Sequence, residues 1–200
     1  VCGVIAGMMT KTNTLGVIAG GDWPSFTKPG VGFALGAKSV NPDVTVKSAV
    51  LSATNTNEAY ETALSQIQSG ADFLFPNANE GTSGAIKAVS ENPEVYGFGV
   101  FGDYISGAPN QVIGNSLPDA PGAYVAVFDA IMNGETTGDI MFLGMKEGVI
   151  SFEWNEDLKA TLPEDVVAAA EQTIEDIKAG KIDIPNEYEI GETGTEVYFN

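Results

Sequence analysis

The stretch VIAGGDWP, Val17 to Pro24, is the clearest indication of the fold class of this chain. It continues the apolar run LGVIAG (15–20), and a short run that is apolar at every position is typical of a strand buried on both faces. Two glycines, an acid, an aromatic residue and a proline follow, which indicates a turn at the carboxyl end of that strand. The next segment, GVGFALGAKSV (30–40), carries apolar residues at helical spacing. The local order is therefore strand, loop, helix.

The same alternation continues along the chain. VTVKSAVLS (44–52) is rich in β-branched residues and predicts a strand. The segment 55–70 predicts a helix with Asn55 as its N-cap, Glu58 three residues later and Gly70 at its end. Three further strands are predicted at 71–75, 95–101 and 111–116. A short helix is predicted at 81–90, between the first two of them. Strands and helices at this spacing form βαβ units, so we predict an α/β fold with a doubly wound, mostly parallel sheet.

The last third of the chain predicts two more helices and two strands. PGAYVAVFDAIMNG (121–134) is helical in pattern, with an apolar face formed by Val125, Phe128 and Ile131. DIMFLG (139–144) and GVISFE (148–153) predict strands on either side of the turn MKEG. The last helix is predicted to begin with a capping box of Thr161 and Glu164 and to end at Gly180.

The composition excludes several classes of function. The 200 residues carry nine lysines, no arginine and no histidine against 27 acidic residues, which gives a net charge of −18. This charge repels phosphate backbones, so we expect no nucleic-acid partner. Without histidine neither a Ser-His-Asp relay nor an imidazole metal site can form, and the single Cys2 supports no internal disulfide and no multi-thiolate metal site. We therefore expect no cofactor, no bound metal and no catalysis, with Cys2 buried in a helix.

The candidate binding residues follow from the predicted topology. In a wound sheet, ligands bind in the crevice beyond the carboxyl ends of the strands, where the loops here carry amide, hydroxyl, carboxylate and aromatic groups. These groups suit an uncharged polar ligand such as a nucleoside or a sugar. The same residue types also form turns and cap helices, and a tryptophan before a proline is also typical of a hydrophobic plug. The predicted ligand-binding residues are Asp22, Trp23, Ser52, Asn55, Asn79, Phe101, Asp103 and Ser116.

Several stretches together resemble the basic membrane protein family, whose best-known members are purine nucleoside receptor lipoproteins. They are AGMMTKTNTLGVIAGGDWP (6–24), GFALGAKSVNPDVTV (32–46), ALSQIQSGADFLF (63–75), VAVFDAIMNGE (125–135) and LGMKEGVISF (143–152). The resemblance implies a substrate-binding protein of an ABC importer with the type I periplasmic-binding fold, two lobes that close on a small ligand, and a permease as partner. It also implies a place outside the cytoplasmic membrane, tethered to the membrane or secreted.

The resemblance further implies a division of the chain into parts of two lobes. Residues 1–13 would be a remnant of a first-lobe helix, 14–135 the ligand-binding lobe, 136–188 a return to the first lobe, and 189–200 a tail. Most of the first lobe would then be missing from this sequence. The family's base-stacking aromatic residue aligns with Ala53, and its ribose-binding aspartate aligns with Phe101, with Asp103 two residues further on. The implied ligand is therefore nucleoside-like or sugar-like rather than a defined purine nucleoside.

Three functions remain open at this point. The first is a ligand-binding protein for uptake. The second is a structural or self-assembling surface protein, because half a clamshell exposes sheet edges and an apolar face, and the β-forming tail EIGETGTEVYFN (189–200) could add a strand to a neighbouring copy. The third is an enzyme of sugar or nucleotide metabolism, for which the sequence offers carboxylates but no base or nucleophile to partner them.

Overall fold

The computed structural model describes residues 1–135 and 141–182, which form a three-layered arrangement of helices around one sheet. The strands are β1 (Thr14–Ala19), β2 (Thr45–Val50), β3 (Phe73–Asn77), β4 (Tyr96–Val100), β5 (Val112–Pro118) and β6 (Ile150–Trp154). The helices are α1 (Cys2–Met9), α2 (Pro24–Val40), α3 (Thr56–Gln68), α4 (Glu80–Ser90), α5 (Ala120–Met132), α6 (Glu156–Lys159) and α7 (Glu164–Lys178).

The sheet confirms the predicted α/β class. Its order is β2-β1-β3-β4-β5-β6, and all neighbouring pairs from β2 to β5 are parallel. The strand β6 pairs with β5 in the antiparallel direction and forms one edge. Because the first five strands run the same way, their carboxyl ends and the loops that follow them lie at one edge of the sheet.

Both faces of the sheet are covered by helices, which is why β1 and β3 are apolar except for Thr14 at the start of β1 and Asn77 at the end of β3. Leu15 and Val17 of β1 pack into a core shared with α1, α2 and α7. Ile18 of β1 points to the opposite face and packs with α3 and α4. A strand with both faces buried has no need of the polar alternation of a half-exposed strand.

Two glycines allow α1 to lie directly against α2. A Cβ atom at Gly3 would come to 1.9 Å from the carbonyl oxygen of Phe33, and one at Gly7 would come to 2.6 Å from the carbonyl oxygen of Ala37. The two backbones therefore meet without intervening side chains. The helix α7 packs on the same side, since Val166 and Ala170 belong to this core. Cys2 is buried here, as predicted.

The helix α2 begins six residues earlier than predicted. It starts at Pro24, whose fixed φ suits the first helical position, and it contains Pro29. Proline inside a helix normally disfavours the preceding turn, which is why the sequence pattern indicated a start at Gly30. The side chain of Asn77 removes this conflict by donating hydrogen bonds to the carbonyl oxygens of Ser25 (2.9 Å) and Phe26 (3.1 Å).

Two other predictions for the last third of the chain are wrong. The N-cap of α7 is Pro163, without a side-chain cap, and the Thr161 hydroxyl donates to the carbonyl oxygen of Leu158 instead of capping the helix. The predicted strand 139–144 lies partly outside the described residues, and its described part, 141–144, is not a strand. The predicted end of α7 is confirmed, since Gly180 follows the C-cap with a positive φ of 67°.

The apolar face of α5 is largely exposed. Val125, Phe128 and Ile131 lie on one face as predicted, but each is more than half exposed, as are Tyr124 and Met132 beside them. We call these five residues the α5 face. The predicted division into lobes stays a prediction. Within the described residues, β6 belongs to the same sheet as β1 to β5, and α1 packs on α2.

Candidate functional site

The loops after β1, β2 and β3 meet at the carboxyl edge of the sheet. A Cβ atom at Gly20 would lie 2.7 Å from the Cα of Ala78 and 3.0 Å from a methyl carbon of Thr54, so the three loops are in close contact. The Thr54 hydroxyl donates to a carboxylate oxygen of Glu80 at 3.3 Å. The neighbours of Gly20 on both sides therefore leave no space for a side chain, which explains why glycine directly follows β1.

The loops after β4 and β5 extend this edge. The Tyr104 hydroxyl donates to the carbonyl oxygen of Asn79 at 3.4 Å, which links the loop after β4 to the loop after β3. The amide N–H of Phe101 donates to the carbonyl oxygen of Ser116 at 2.9 Å, and this hydrogen bond links the loop after β4 to β5. Each loop thus touches the next across the sheet. The predicted site residues lie along one continuous edge, which we call the carboxyl edge.

Two of the predicted residues at this edge have strained backbones. Asn79 has φ 49° and Phe101 has φ 61°. A bulky residue with positive φ is rare, and such strain is found most often where a protein binds a ligand or positions a reacting group. Phe101 is also 54 % exposed, so its ring lies at the surface beside the strained turn rather than in the core.

Trp23 and Asp22 are at the surface of the same edge. Trp23 occupies the N-cap position of α2, and its carbonyl oxygen accepts hydrogen bonds from the amides of Phe26 and Thr27. Its side chain is 68 % exposed, so it is not a hydrophobic plug. An exposed tryptophan next to an exposed aspartate offers an aromatic face and an acceptor to the solvent side of the sheet edge.

Ser52 and Asn55 hold the start of α3. The Asn55 side chain accepts hydrogen bonds from the amides of Asn57 and Glu58, so it is the N-cap that the sequence predicted. The backbone N–H and the hydroxyl of Ser52 donate to the two carboxylate oxygens of Glu58 at 2.8 and 2.9 Å. These hydrogen bonds lower the pKa of the Glu58 carboxyl. A capping box would require Glu58 to accept from the backbone N–H of Asn55. Glu58 accepts from Ser52 instead.

Three residues that the sequence prediction did not select complete the edge. Asn115 in the middle of β5 is fully buried, Glu153 lies opposite it on β6, and Tyr104 follows the strained Phe101. The Asn115 Nδ2 donates to Asp103 (3.3 Å) and to Glu153 (3.0 Å). In the sequence, the signal that could have identified Asn115 is the presence of an amide within the largely apolar strand VIGNSLP. Nothing in the sequence indicated that Glu153 would pair with it.

The carboxyl edge presents hydrogen-bond acceptors beside exposed aromatic rings. Among residues 1–135 and 141–182, no group of three or more cysteine, aspartate or glutamate side chains could hold a metal ion. Two open grooves of about 480 and 520 Å³ lie elsewhere, along α7, α6 and β6. They are lined by surface carboxylates, lysines and apolar side chains, away from the strained loops, so we place the candidate site at the carboxyl edge.

Comparison with known proteins identifies relatives of this chain. The family model described as "ABC transporter substrate-binding protein PnrA-like" (Bmp) matches residues 1–188. A purine-binding protein of Brucella abortus (strain 2308) is 29 % identical over 181 residues, which is 90 % of this chain and 50 % of the relative. The chain spans about half the length of the curated relatives that it matches.

Solved structures share the fold. A transcriptional activator of the comK gene from Bacillus halodurans superposes with a TM-score of 0.73 at 19 % identity, covering 92 % of this chain and 62 % of that one. A solute-binding protein of an ABC transporter system from Aeropyrum pernix K1 superposes with a TM-score of 0.69 at 18 % identity, covering 93 % and 65 %. At these identities the likeness establishes the architecture alone.

Proposed function

Because this chain belongs to the Bmp family of PnrA-like ABC transporter substrate-binding proteins, we propose that it captures a small uncharged polar molecule for an ABC permease. The observation that carries this proposal is the continuous carboxyl edge, where the strained Phe101 and Asn79 and the exposed Trp23 lie on loops that touch one another. The proposed place of action is outside the cytoplasmic membrane. None of the helices in the described part of the chain is long and apolar enough to cross a bilayer.

The chemistry of the edge favours a nucleoside-like or sugar-like ligand. Asp22, Asp103 and Glu153 are exposed acceptors in a chain with a net charge of −18, so an anionic ligand would be repelled. Hydroxyl and N–H groups of a neutral ligand would donate to these oxygens. A ring of the ligand would stack on Phe101 or Trp23, and such stacking contributes about 1–3 kcal/mol per base. The Brucella relative, named for purine binding, supports the same class.

The proposed mechanism is closure of two lobes over the ligand. The described residues supply the sheet edge, and the α5 face supplies a surface against which a second lobe would pack. Its five apolar side chains are 57–79 % exposed and adjacent on one helix, and a contiguous apolar patch of this kind marks an interaction surface. The length that the relatives have beyond the match is sufficient for such a lobe. The mechanism requires no cofactor and no catalytic step.

Ligand binding is tested with a panel of neutral probes and a pair of matched variants. We expect adenosine, guanosine or D-allose to raise the melting temperature of the protein, because a ligand that binds only the folded state stabilises it. Phe101→Ala should weaken the binding of the active probe by roughly tenfold or more through lost stacking. Leu35→Ala, at an apolar residue of α2 that is 44 % exposed and belongs to neither the carboxyl edge nor the α5 face, should leave the affinity unchanged. Absence of any shift across the panel would reject the proposal.

The α5 face also supports a second candidate, a self-assembling protein that uses this surface between copies. Residues 189–200, for which an added strand is predicted, lie outside the described residues. Light scattering after size exclusion separates the two candidates. A monomer that binds a probe supports the uptake function, whereas a dimer that dissociates on Phe128→Asp and binds no probe supports assembly.

A further inference from the structure

A single buried amide connects the carboxyl edge to the edge strand β6. Asn115 has no exposed surface, and its side chain makes three hydrogen bonds. Its Nδ2 donates to Oδ1 of Asp103 at 3.3 Å and to Oε2 of Glu153 at 3.0 Å, and its Oδ1 accepts from the backbone N–H of Tyr104 at 3.2 Å. An asparagine amide group carries two N–H donors, so both are used by carboxylates.

The two carboxylates come from different parts of the chain. Asp103 lies in the loop after β4, twelve residues before Asn115 in the chain. Glu153 is the direct antiparallel partner of Asn115 on β6. Two like charges repel at short range, and an amide placed between them with both N–H groups donating offsets that repulsion. Asn115 thus joins the loop and β6 at the edge.

The neighbouring strand leaves space for this amide. Gly99 of β4 lies beside Asn115 in the sheet, and a Cβ atom at Gly99 would come to 2.0 Å from Oδ1 of Asn115 and 3.0 Å from its Cγ. Any side chain at position 99 would displace the amide. The position of the Asn115 side chain is therefore determined by β4, β5 and β6 together and not by a flexible surface contact.

We propose that Asn115 is a positioning residue that fixes the Asp103 carboxylate for ligand binding. This inference rests on the proposed uptake function. Oδ1 of Asp103 accepts from Asn115 and from the N–H of Ile105 at 3.0 Å, so the carboxylate is anchored through one oxygen. Oδ2 then faces the ligand with a defined direction. The anchored acceptor selects ligands that present a hydroxyl or N–H donor at this point, and it disfavours anions.

The binding test compares two buried asparagines. Asn115→Asp replaces the donating Nδ2 by a third carboxylate next to Asp103 and Glu153. We expect it to weaken the binding of adenosine or D-allose, whichever the wild type binds, by roughly tenfold or more at neutral pH. Acidification should restore part of the affinity relative to wild type, because a protonated carboxyl again donates. Tyr104 is a further titratable side chain packed against Gly99.

Asn155→Asp is the matched control. Asn155 is also buried, but its Nδ2 donates to the carbonyl oxygens of Pro109 and Val112, both at 2.8 Å. This variant should lose stability, and its affinity per folded molecule and its pH profile should match the wild type. Equal pH profiles for Asn115→Asp and Asn155→Asp would overturn the positioning role.

A measurement without ligand keeps this inference separate from the uptake function. In the wild type, the Asn115 Nδ2 protons should exchange slowly with solvent, and in Asp103→Ala they should exchange at least roughly tenfold faster. Asp103 is exposed, so this variant should fold. An unchanged exchange rate would overturn the positioning role, whether or not any probe binds. If the exchange rate rises but the wild type binds no probe, the proposed uptake function is rejected, whereas the Asn115–Asp103 hydrogen bond is supported.

Discussion

Asn77 completes the hydrogen bonding of a helix to which it does not belong. Its Nδ2 lies 2.9 Å from the carbonyl oxygen of Ser25, the acceptor that the N–H of residue 29 would normally satisfy. Residue 29 is proline and has no N–H. The last residue of β3 thereby allows α2 to begin at Pro24, and it ties the loop after β1 to the loop after β3 at the carboxyl edge.

This contact predicts a non-additive pair of substitutions. Asn77→Ala should lower the free energy of unfolding by about 1–3 kcal/mol, because it removes two hydrogen bonds, to the carbonyl oxygens of Ser25 and Phe26. In a Pro29→Ala background the same substitution should cost about 1 kcal/mol less, since the new N–H can donate to Ser25. Urea unfolding of the four proteins measures the coupling. Equal losses in both backgrounds would show that the carbonyl does not depend on Asn77.

The close approach of α1 and α2 predicts opposite effects at two helical glycines. Gly3→Ala should destabilise the protein by several kcal/mol, because its Cβ would overlap the carbonyl of Phe33. Gly32→Ala is the control: no atom lies within 4 Å of its Cβ position, and alanine is favoured over glycine in a helix by about 1 kcal/mol. Thermal unfolding of both variants is the measurement. A Gly3→Ala protein as stable as wild type would contradict the packing described above.

The buried thiol predicts a loss of stability in alkali. Burial raises the pKa of Cys2 to about 11 from an ordinary value of 9.0. The pKa of Cys2 is higher in the folded state than in the unfolded state, so the protonated thiol contributes fully to stability below about pH 9. This contribution is lost as the pH rises towards 11, and the loss amounts to about 3 kcal/mol. Urea unfolding at a series of pH values measures it. Cys2→Ala should remove this part of the pH dependence, and an unaltered profile in that variant would refute the assignment.

The Ser52–Glu58 contact predicts an effect in acid. Ser52 lowers the Glu58 pKa through its backbone N–H and its hydroxyl, so the contribution of Glu58 to stability is present above the unfolded pKa and is lost as the pH falls through the folded one. Ser52→Ala removes the hydroxyl donor and should raise the Glu58 pKa part of the way towards its ordinary value. Carbon-detected NMR titration of Glu58 measures this. Ser83→Ala is the control: the Ser83 hydroxyl donates to the carbonyl oxygen of Glu80, so its removal should leave the Glu58 pKa unchanged.

The strands and most helices could be predicted because their signals are local. Continuous apolar runs such as LGVIAG appear wherever a strand is buried on both faces, and the Asn55 cap depends on residues two and three positions away. The start of α2 could not be predicted, because the group that compensates for Pro29 comes from Asn77, 48 positions later in the chain (77 − 29). The exposure of the α5 face could not be predicted either, since an apolar stripe looks the same whether its partner is present or not.

Sequence patterns are sufficient to predict the α/β class, the parallel direction of most strands and the set of loops at the carboxyl edge, because short-range hydrophobic periodicity and turn residues encode them. The roles of these loop residues become visible only in the folded chain: Ser52 and Asn55 support a helix start, Phe101 and Asn79 are strained, and Asn115 bridges Asp103 to Glu153. Such roles depend on hydrogen bonds between groups that are near in space, and the pairing of β6 with β5 brings together residues that are far apart in the sequence.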